Sequence, residues 1–369
     1  MTGLYIHIPF CASKCGYCDF YSVTDRSGRR AYADTVLREI RSYAGRGLRA
    51  DSLYFGGGTP SMMEAELLGE MIAACREVFA LEGEITAEAN PDSVSPGWLS
   101  ALRKAGANRI SFGAQSANEK ELAALGRRHS AARIGEAVRE AREAGFARIS
   151  LDVMLGIPHQ GPESLHRTLE SFAAAGVGHI SAYLLKIEPG TPFARNGMQR
   201  LCPDEDAAAD LYLQTVRELA RMGFAQYEIS NFAKPGEECR HNLKYWQAED
   251  YIGFGPAAHS LLEGRRFYHP RGLDAYLISG GTNTVDDGPG GGPAERLMLG
   301  LRLAAGVDLR KLGLPEAACA RLQKRADSFR RAGLMRAGPL FCLTPEGFLV
   351  SNAIIGTLLD EFEENVTSL

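Results

Sequence analysis

Tyr5-Ile6-His7-Ile8-Pro9-Phe10-Cys11-Ala12-Ser13-Lys14-Cys15-Gly16-Tyr17-Cys18 is the stretch on which the fold reading turns. The apolar run Leu4 to Ile8 predicts a strand, and Pro9 ends it. Directly behind it stand three thiols in the spacing C-x3-C-x2-C. In parallel α/β sheets the loops after the strands carry the chemistry, so a cysteine loop here reads as the first wall of a site.

Working outward, the pattern of short strand and longer helix repeats. Strands are predicted at Ser52 to Phe55, Glu84 to Glu88, Arg109 to Phe112, Arg148 to Val153 and His179 to Leu184. Helical periodicity fills the gaps at Ala31 to Tyr43, Glu64 to Phe79, Pro96 to Ala105, Ala131 to Ala144 and Pro162 to Ala175. Such alternation implies right-handed crossovers and a parallel sheet. Strand ends carry Gly56-Gly57-Gly58, Glu88-Ala89-Asn90-Pro91, Gly113-Ala114-Gln115 and Asp152, residues able to contact a ligand.

Beyond the strand-helix repeats, Asp204 to Met222 is helical in pattern, and Tyr227 to Ser260 is aromatic and polar. Residues 280–293 have the composition of a flexible linker, which places a boundary between residues 1–279 and residues 294–369. The latter read as helices (Glu295 to Ala304, Pro315 to Arg331), a hairpin from Leu334 to Leu343 turning at Pro345-Glu346-Gly347, and a last helix. That order suggests a winged-helix-like unit. With 10 basic against 9 acidic residues, however, it lacks the basic stripe of a DNA-binding face, so no nucleic-acid partner is expected.

Composition narrows the classes further. The 369 residues carry 41 Lys and Arg against 45 Asp and Glu, and 45% are hydrophobic. These values exclude a collagen-like fibre and a supercharged nucleic-acid binder. No uncharged apolar run reaches the roughly 18 to 20 residues of a spanning helix. Met1 to Pro9 lacks the features of a signal peptide, so a cytoplasmic protein is expected. Eight cysteines are too dilute for a disulfide framework. Cys75, Cys202, Cys239, Cys319 and Cys342 are scattered and read as small hydrophobes, with Cys239 on a solvated loop. For the clustered Cys11, Cys15 and Cys18, zinc would want a fourth closed ligand that no nearby Cys or His pair supplies. A 4Fe-4S cluster on three cysteines would leave one iron open to a small molecule.

The cysteine loop, with Tyr17 ahead of the last thiol, resembles the signature of the radical S-adenosylmethionine (SAM) superfamily, in which SAM chelates the open iron. Gly56-Gly57-Gly58-Thr59-Pro60 resembles that family's glycine motif, where missing side chains let backbone approach the SAM amino group. Tyr5 to Cys11, Glu88 to Pro91, Ser111 to Ser116, Leu125-Gly126-Arg127 and Leu151-Asp152 are similar to the coproporphyrinogen-oxidase-like branch, and the similarity covers essentially the whole chain. The fold class implied is α/β: a partial (β/α)6 radical-SAM barrel with a smaller C-terminal winged-helix-like α+β domain. The resemblance also implies that Cys11, Cys15 and Cys18 hold the cluster. SAM contacts are implied for Tyr5, Tyr17, Gly57, Gly58, Thr59, Pro60, Glu88, Gln115, Arg127 and Asp152, with Lys186 and His259 as further candidates. Carboxylates suit its ribose hydroxyls and ammonium, and Arg127 suits its carboxylate.

Two readings within the branch differ in class. One is the oxygen-independent coproporphyrinogen III oxidase, which decarboxylates two propionates. The other is the HemW-type heme chaperone. The oxidase signature continues to a fourth cysteine where this chain has Phe20, and it carries a longer extension ahead of its cysteine loop. In addition, His241-Asn242-Leu243-Lys244-Tyr245-Trp246 resembles the H-N-x-x-Y-W motif of the chaperones. His241, in an exposed region, would ligate heme iron, with Tyr245 and Trp246 packing the macrocycle. The expectation is a heme chaperone on a radical-SAM scaffold that binds cluster, SAM and heme, with cleavage of SAM in turnover left open by the sequence. By the same resemblance it delivers heme to client proteins of the respiratory chain, associates peripherally with membranes and forms a homodimer when loaded. A third reading, a degenerate scaffold with a merely structural cluster, predicts SAM binding without heme binding.

Overall fold

The computed structural model describes residues 1–363. Six strands form its first half: β1 (Thr2–Ile8), β2 (Ala50–Gly57), β3 (Glu84–Ala89), β4 (Arg109–Gln115), β5 (Arg148–Leu155) and β6 (His179–Leu184). Each pairs with the next in parallel. The crossovers are the helices Arg29–Ser42, Ala65–Phe79, Pro96–Ala105, Ala131–Glu143 and Pro162–Ala174. Local chemistry starts them: Ser95 and Ser130 accept hydrogen bonds from the backbone N–H of Trp98 and Arg133, and Pro96 and Pro162 pre-set the first turn. Their apolar faces (Val36, Leu68, Leu102, Val138 and Leu169 among them) bury against Leu4, Ile6, Phe55, Ile110 and Leu151 of the strands.

Six more strands follow: β7 (Ala225–Glu228), β8 (Asn231–Ala233), β9 (Tyr251–Phe254), β10 (His259–Leu262), β11 (Arg265–Tyr268) and β12 (Val285–Pro289). The sheet has the order β12-β11-β10-β9-β1-β2-β3-β4-β5-β6-β8-β7. β9 adds to β1 in parallel, Tyr5 opposite Gly253. A side chain at Gly253 would sit 2.3 Å from the His259 carbonyl, so glycine permits β10 to fold back against β9. The partial barrel is therefore extended on the β1 side by an antiparallel margin.

The stretch expected as a linker is not one. Val285–Pro289 is β12, with Asp286 opposite Phe267, and a helix begins at Pro293. Its glycines make tight turns within paired backbone: Gly288 lies at φ 87° beside a bulge, and the Gly290 N–H donates to the Gly264 carbonyl at 2.9 Å. The C-terminal hairpin is present from Leu334 to Thr344, but it reverses around Gly338 (φ 125°). Pro345–Leu349 is instead a helix, because Thr344 Oγ1 accepts the Gly347 N–H at 3.1 Å and Pro345 suits the first turn. Helices Glu316–Arg331 and Ser351–Glu363 complete this part, and Leu301, Leu322, Phe341 and Leu358 join the barrel's own core. The remaining residues of the expected C-terminal unit, 364–369, lie outside the described ones. Among the described residues no helix is long and apolar enough to cross a membrane.

Inside the barrel the strands present polar groups. Glu84, at the start of β3, is buried and accepts from Arg148 Nη1 at 2.7 Å and from the backbone N–H groups of Arg240 and His241 at 3.2 and 3.1 Å. Burial alone would raise its pKa, but Arg109, Arg148 and those two N–H groups hold it below the ordinary value of 4.5. Its contribution to stability is therefore present above that value and lost as pH falls through the depressed one. Replacing Glu84 by Ala removes the buried carboxylate that Arg109 and Arg148 face and leaves the Arg240 and His241 N–H groups without their acceptor, and should cost about 3–5 kcal/mol, read from urea unfolding at neutral pH. The deficit should shrink on acidification.

Candidate functional site

A cavity of about 610 Å³ opens at the carboxyl ends of the parallel strands. Cys11, Cys15, Tyr17 and Cys18 line one side, and Gly57, Gly58 and Thr59 continue it. Glu88, Gln115, Arg127 and Asp152 complete the wall, with the exposed Lys186 at its rim, paired to Glu188 at 2.7 Å. Three expected members lie off this lining. Pro60 is buried at the start of a 3-10 turn, and Tyr5 and His259 face a second cavity.

Backbone contacts set the cysteine loop. Cys11 N–H donates to the Val23 carbonyl at 2.9 Å, and Val23 N–H donates to Pro9 at 2.7 Å. Gly58 and Thr59 N–H groups reach Ile8 and Phe10 carbonyls at 2.7 and 2.8 Å, joining the ends of β1 and β2. Here the glycines serve packing directly: a Cβ at Gly57 (φ 105°) would meet the His7 ring at 2.5 Å, and one at Gly58 the Ile8 carbonyl at 2.8 Å. A bulge between Phe112 and Gln115 puts Gln115 at φ 68°, a strained conformation that re-aims its side chain.

The cavity is lined by charges of both signs. Glu88 and Asp152 are enclosed by the barrel yet open to the cavity. Burial and the neighbouring Asp152 charge push Glu88 up to about 7, against the pull of the Tyr54 hydroxyl, which donates at 2.8 Å. Burial likewise raises Asp152, although Ser181 and Ser111 donate to it. Arg127 donates to the Gly113 carbonyl and to Cys15 Sγ at 3.6 Å, while its buried Nε has no hydrogen-bond partner among the described residues. Such an N–H calls for a hydrogen-bond acceptor, a role that a ligand carboxylate suits. The walls thus suit a zwitterion with an extra positive charge, the electrostatic form of SAM.

Cys11, Cys15 and Cys18 share one wall of the cavity. The thiols also have partners that suit thiolates, with Thr59 Oγ1 3.5 Å from Cys11 and Arg127 beside Cys15. Of the scattered cysteines, Cys75, Cys239 and Cys342 are buried; Cys239 is not on a solvated loop but sits 3.4 Å from Glu84.

The motif helix Arg240–Trp246 packs against β2 and corrects a central expectation. His241 is not exposed: its side chain is sealed, with Nδ1 2.9 Å from Ser52 Oγ and Nε2 2.8 Å from the Tyr245 hydroxyl. Its ring stacks on Tyr54 at 5.2 Å. Burial lowers its pKa to about 4, so it is neutral, and with both nitrogens engaged it has none to offer a metal. Trp246 turns instead toward Arg302, whose guanidinium lies 5.9 Å from its ring centroid. Tyr245 lines a second cavity. That second cavity, about 650 Å³, is lined by rings and imidazoles from β1, β9, β10 and β11, and it shares Phe20 and Arg271 with the first. Sequence reasoning missed His7, Tyr251, Tyr268 and His269; the aromatic bias after Tyr227 was the only signal.

Residues 5–172 match the Radical SAM superfamily. A heme chaperone HemW of Mycobacterium tuberculosis is 36% identical, over 97% of this chain and 94% of that one. The chain belongs to the HemW family. A HemW from a Synechocystis species is 33% identical over 99% of this chain and 98% of its own. The solved coproporphyrinogen III oxidase of Escherichia coli superposes with a TM-score of 0.83 at 23% identity, covering 97% of this chain and 89% of that one, which bears out the α/β radical-SAM fold. Membership implies a 4Fe-4S cluster and SAM, and the first cavity fits both. Replacing Cys11, Cys15 and Cys18 together by Ala should abolish bound iron and sulfide after anaerobic reconstitution, whereas Cys75→Ala should leave iron content unchanged.

Proposed function

We propose that this protein is a heme chaperone, which binds heme beside a cluster-and-SAM cavity and passes it to client apoproteins. The whole-length relationship to HemW chaperones carries the reading. In it, Cys11, Cys15 and Cys18 hold the cluster. Glu88 and Asp152 take the cationic and hydroxyl side of SAM, Arg127 its carboxylate, and Gln115, Tyr17, Gly57, Gly58, Thr59 and Lys186 the remainder of the walls. When bound and reduced, the cluster supplies an electron able to split a carbon–sulfur bond of SAM. The chain's own part is to place a sulfonium against the thiol loop and to keep the two acids poised. Phe20 stands where the oxidase signature carries its fourth cysteine, a departure that supports transfer over decarboxylation. Respiratory clients, a cytoplasmic location with peripheral membrane contact and a homodimer when loaded belong to the same proposal. So does the service of the described part of 294–369 as a winged-helix-like unit.

Anaerobically reconstituted protein should bind added hemin and should leave coproporphyrinogen III intact in the presence of SAM and reductant. Robust decarboxylation of that substrate would favour the oxidase, and SAM binding without hemin binding would favour the degenerate scaffold. The raised pKa of Glu88 gives SAM binding a pH dependence. A cation selects the ionised carboxylate, so affinity should climb roughly tenfold from pH 6 to pH 8 and then level, since a group with a pKa near 7 goes from mostly protonated to mostly ionised over that span. Glu88→Gln should flatten the profile in equilibrium binding.

A further inference from the structure

The second cavity contains an unengaged metal-binding group. Three imidazoles line it. His7 has Nδ1 3.1 Å from the Tyr5 hydroxyl and Nε2 2.9 Å from the Tyr21 carbonyl. His269 has Nε2 2.7 Å from Glu39 and Nδ1 3.4 Å from Asn283. His259 alone has neither nitrogen hydrogen-bonded to any described residue. It is exposed at the start of β10, and its ring stacks on the cross-strand Tyr268, 5.1 Å between centroids at 22°. Partial burial, against the pull of Asp287 and with some help from the Arg266 and Arg271 charges, keeps it below the ordinary imidazole pKa and so neutral, the form that ligates a metal.

The surroundings suit a flat, largely apolar ligand with an anionic edge. A cavity of about 650 Å³ falls within the ~300–1,000 Å³ of small-molecule sites. Tyr5, Tyr245, Tyr251 and Tyr268 supply aromatic wall, and Phe20 stands on the rim as an uncovered hydrophobic ring. Arg271 lies at the same rim, its side chain 62% exposed and paired, among the described residues, to the exposed Asp19 at 3.2 Å. So weak a pair is readily exchanged for a ligand carboxylate.

We propose that this cavity is the porphyrin seat: His259 supplies an axial imidazole to the iron, Arg271 receives a propionate, and His241 is a positioning residue that holds Tyr245 in the wall. The proposal rests on the heme-chaperone reading. Ferric hemin is titrated into the full-length, cluster-loaded protein while the Soret band is followed. His259→Ala should retain the cluster absorbance, shift the Soret band and weaken binding at least tenfold, and free imidazole in the buffer should restore the original band. His241→Ala should keep the imidazole-type band, with any loss confined to affinity. An unchanged band and affinity in His259→Ala, or loss of the imidazole-type band in His241→Ala alone, would overturn the assignment and leave the chaperone reading standing. Failure of the unmodified protein to bind hemin would remove both.

Discussion

One buried carboxylate holds the lower end of this barrel together. Glu84 sits where β3 begins, and four groups from other parts of the chain converge on it: the Arg148 guanidinium, the Cys239 thiol and the N–H groups of Arg240 and His241. An acid in that position is tolerable only with such partners, because an unpaired charge in a barrel interior is prohibitive. The consequence is positional. The helix Arg240–Trp246 is pinned beneath the strands, His241 is pressed on Tyr54, and Tyr245 is delivered to a cavity wall. The second cavity therefore depends on an ion pair that touches none of its lining.

How much of this was legible depends on the length of the pattern. The strand-helix repeats of the first half carry enough apolar positions for periodicity to show, and β1 to β6 lie where those runs predict them. β9, β10 and β11 have four residues each, too few for alternation to stand out from noise, so the margin that builds the second cavity went unread. Glycine misled at 280–293, since composition cannot separate a flexible tether from turns locked by ladder hydrogen bonds such as Gly290 to Gly264.

The first cavity was largely readable because its residues sit at strand ends, where sequence order and spatial order coincide in a parallel sheet. Cys11, Gly58, Glu88, Gln115, Arg127 and Asp152 all arrive there. Burial was not readable. His241 beside Tyr245 and Trp246 has the look of an accessible ligand in the sequence, and only the packing of its helix under β2 shows that Ser52 and Tyr245 already occupy both nitrogens. His259 carried the opposite error, grouped with SAM contacts although β10 turns it into the neighbouring space.

Phe20 and Arg271 belong to both cavities at once. A partition shared in this way cannot move for one occupant alone. If cargo on one side displaces the ring or the guanidinium, the affinity of the nucleotide on the other side changes by some factor, and thermodynamic reciprocity requires the nucleotide to alter the hold on cargo by the same factor. On the proposed reading, these two side chains couple the occupancy of one compartment to that of the other.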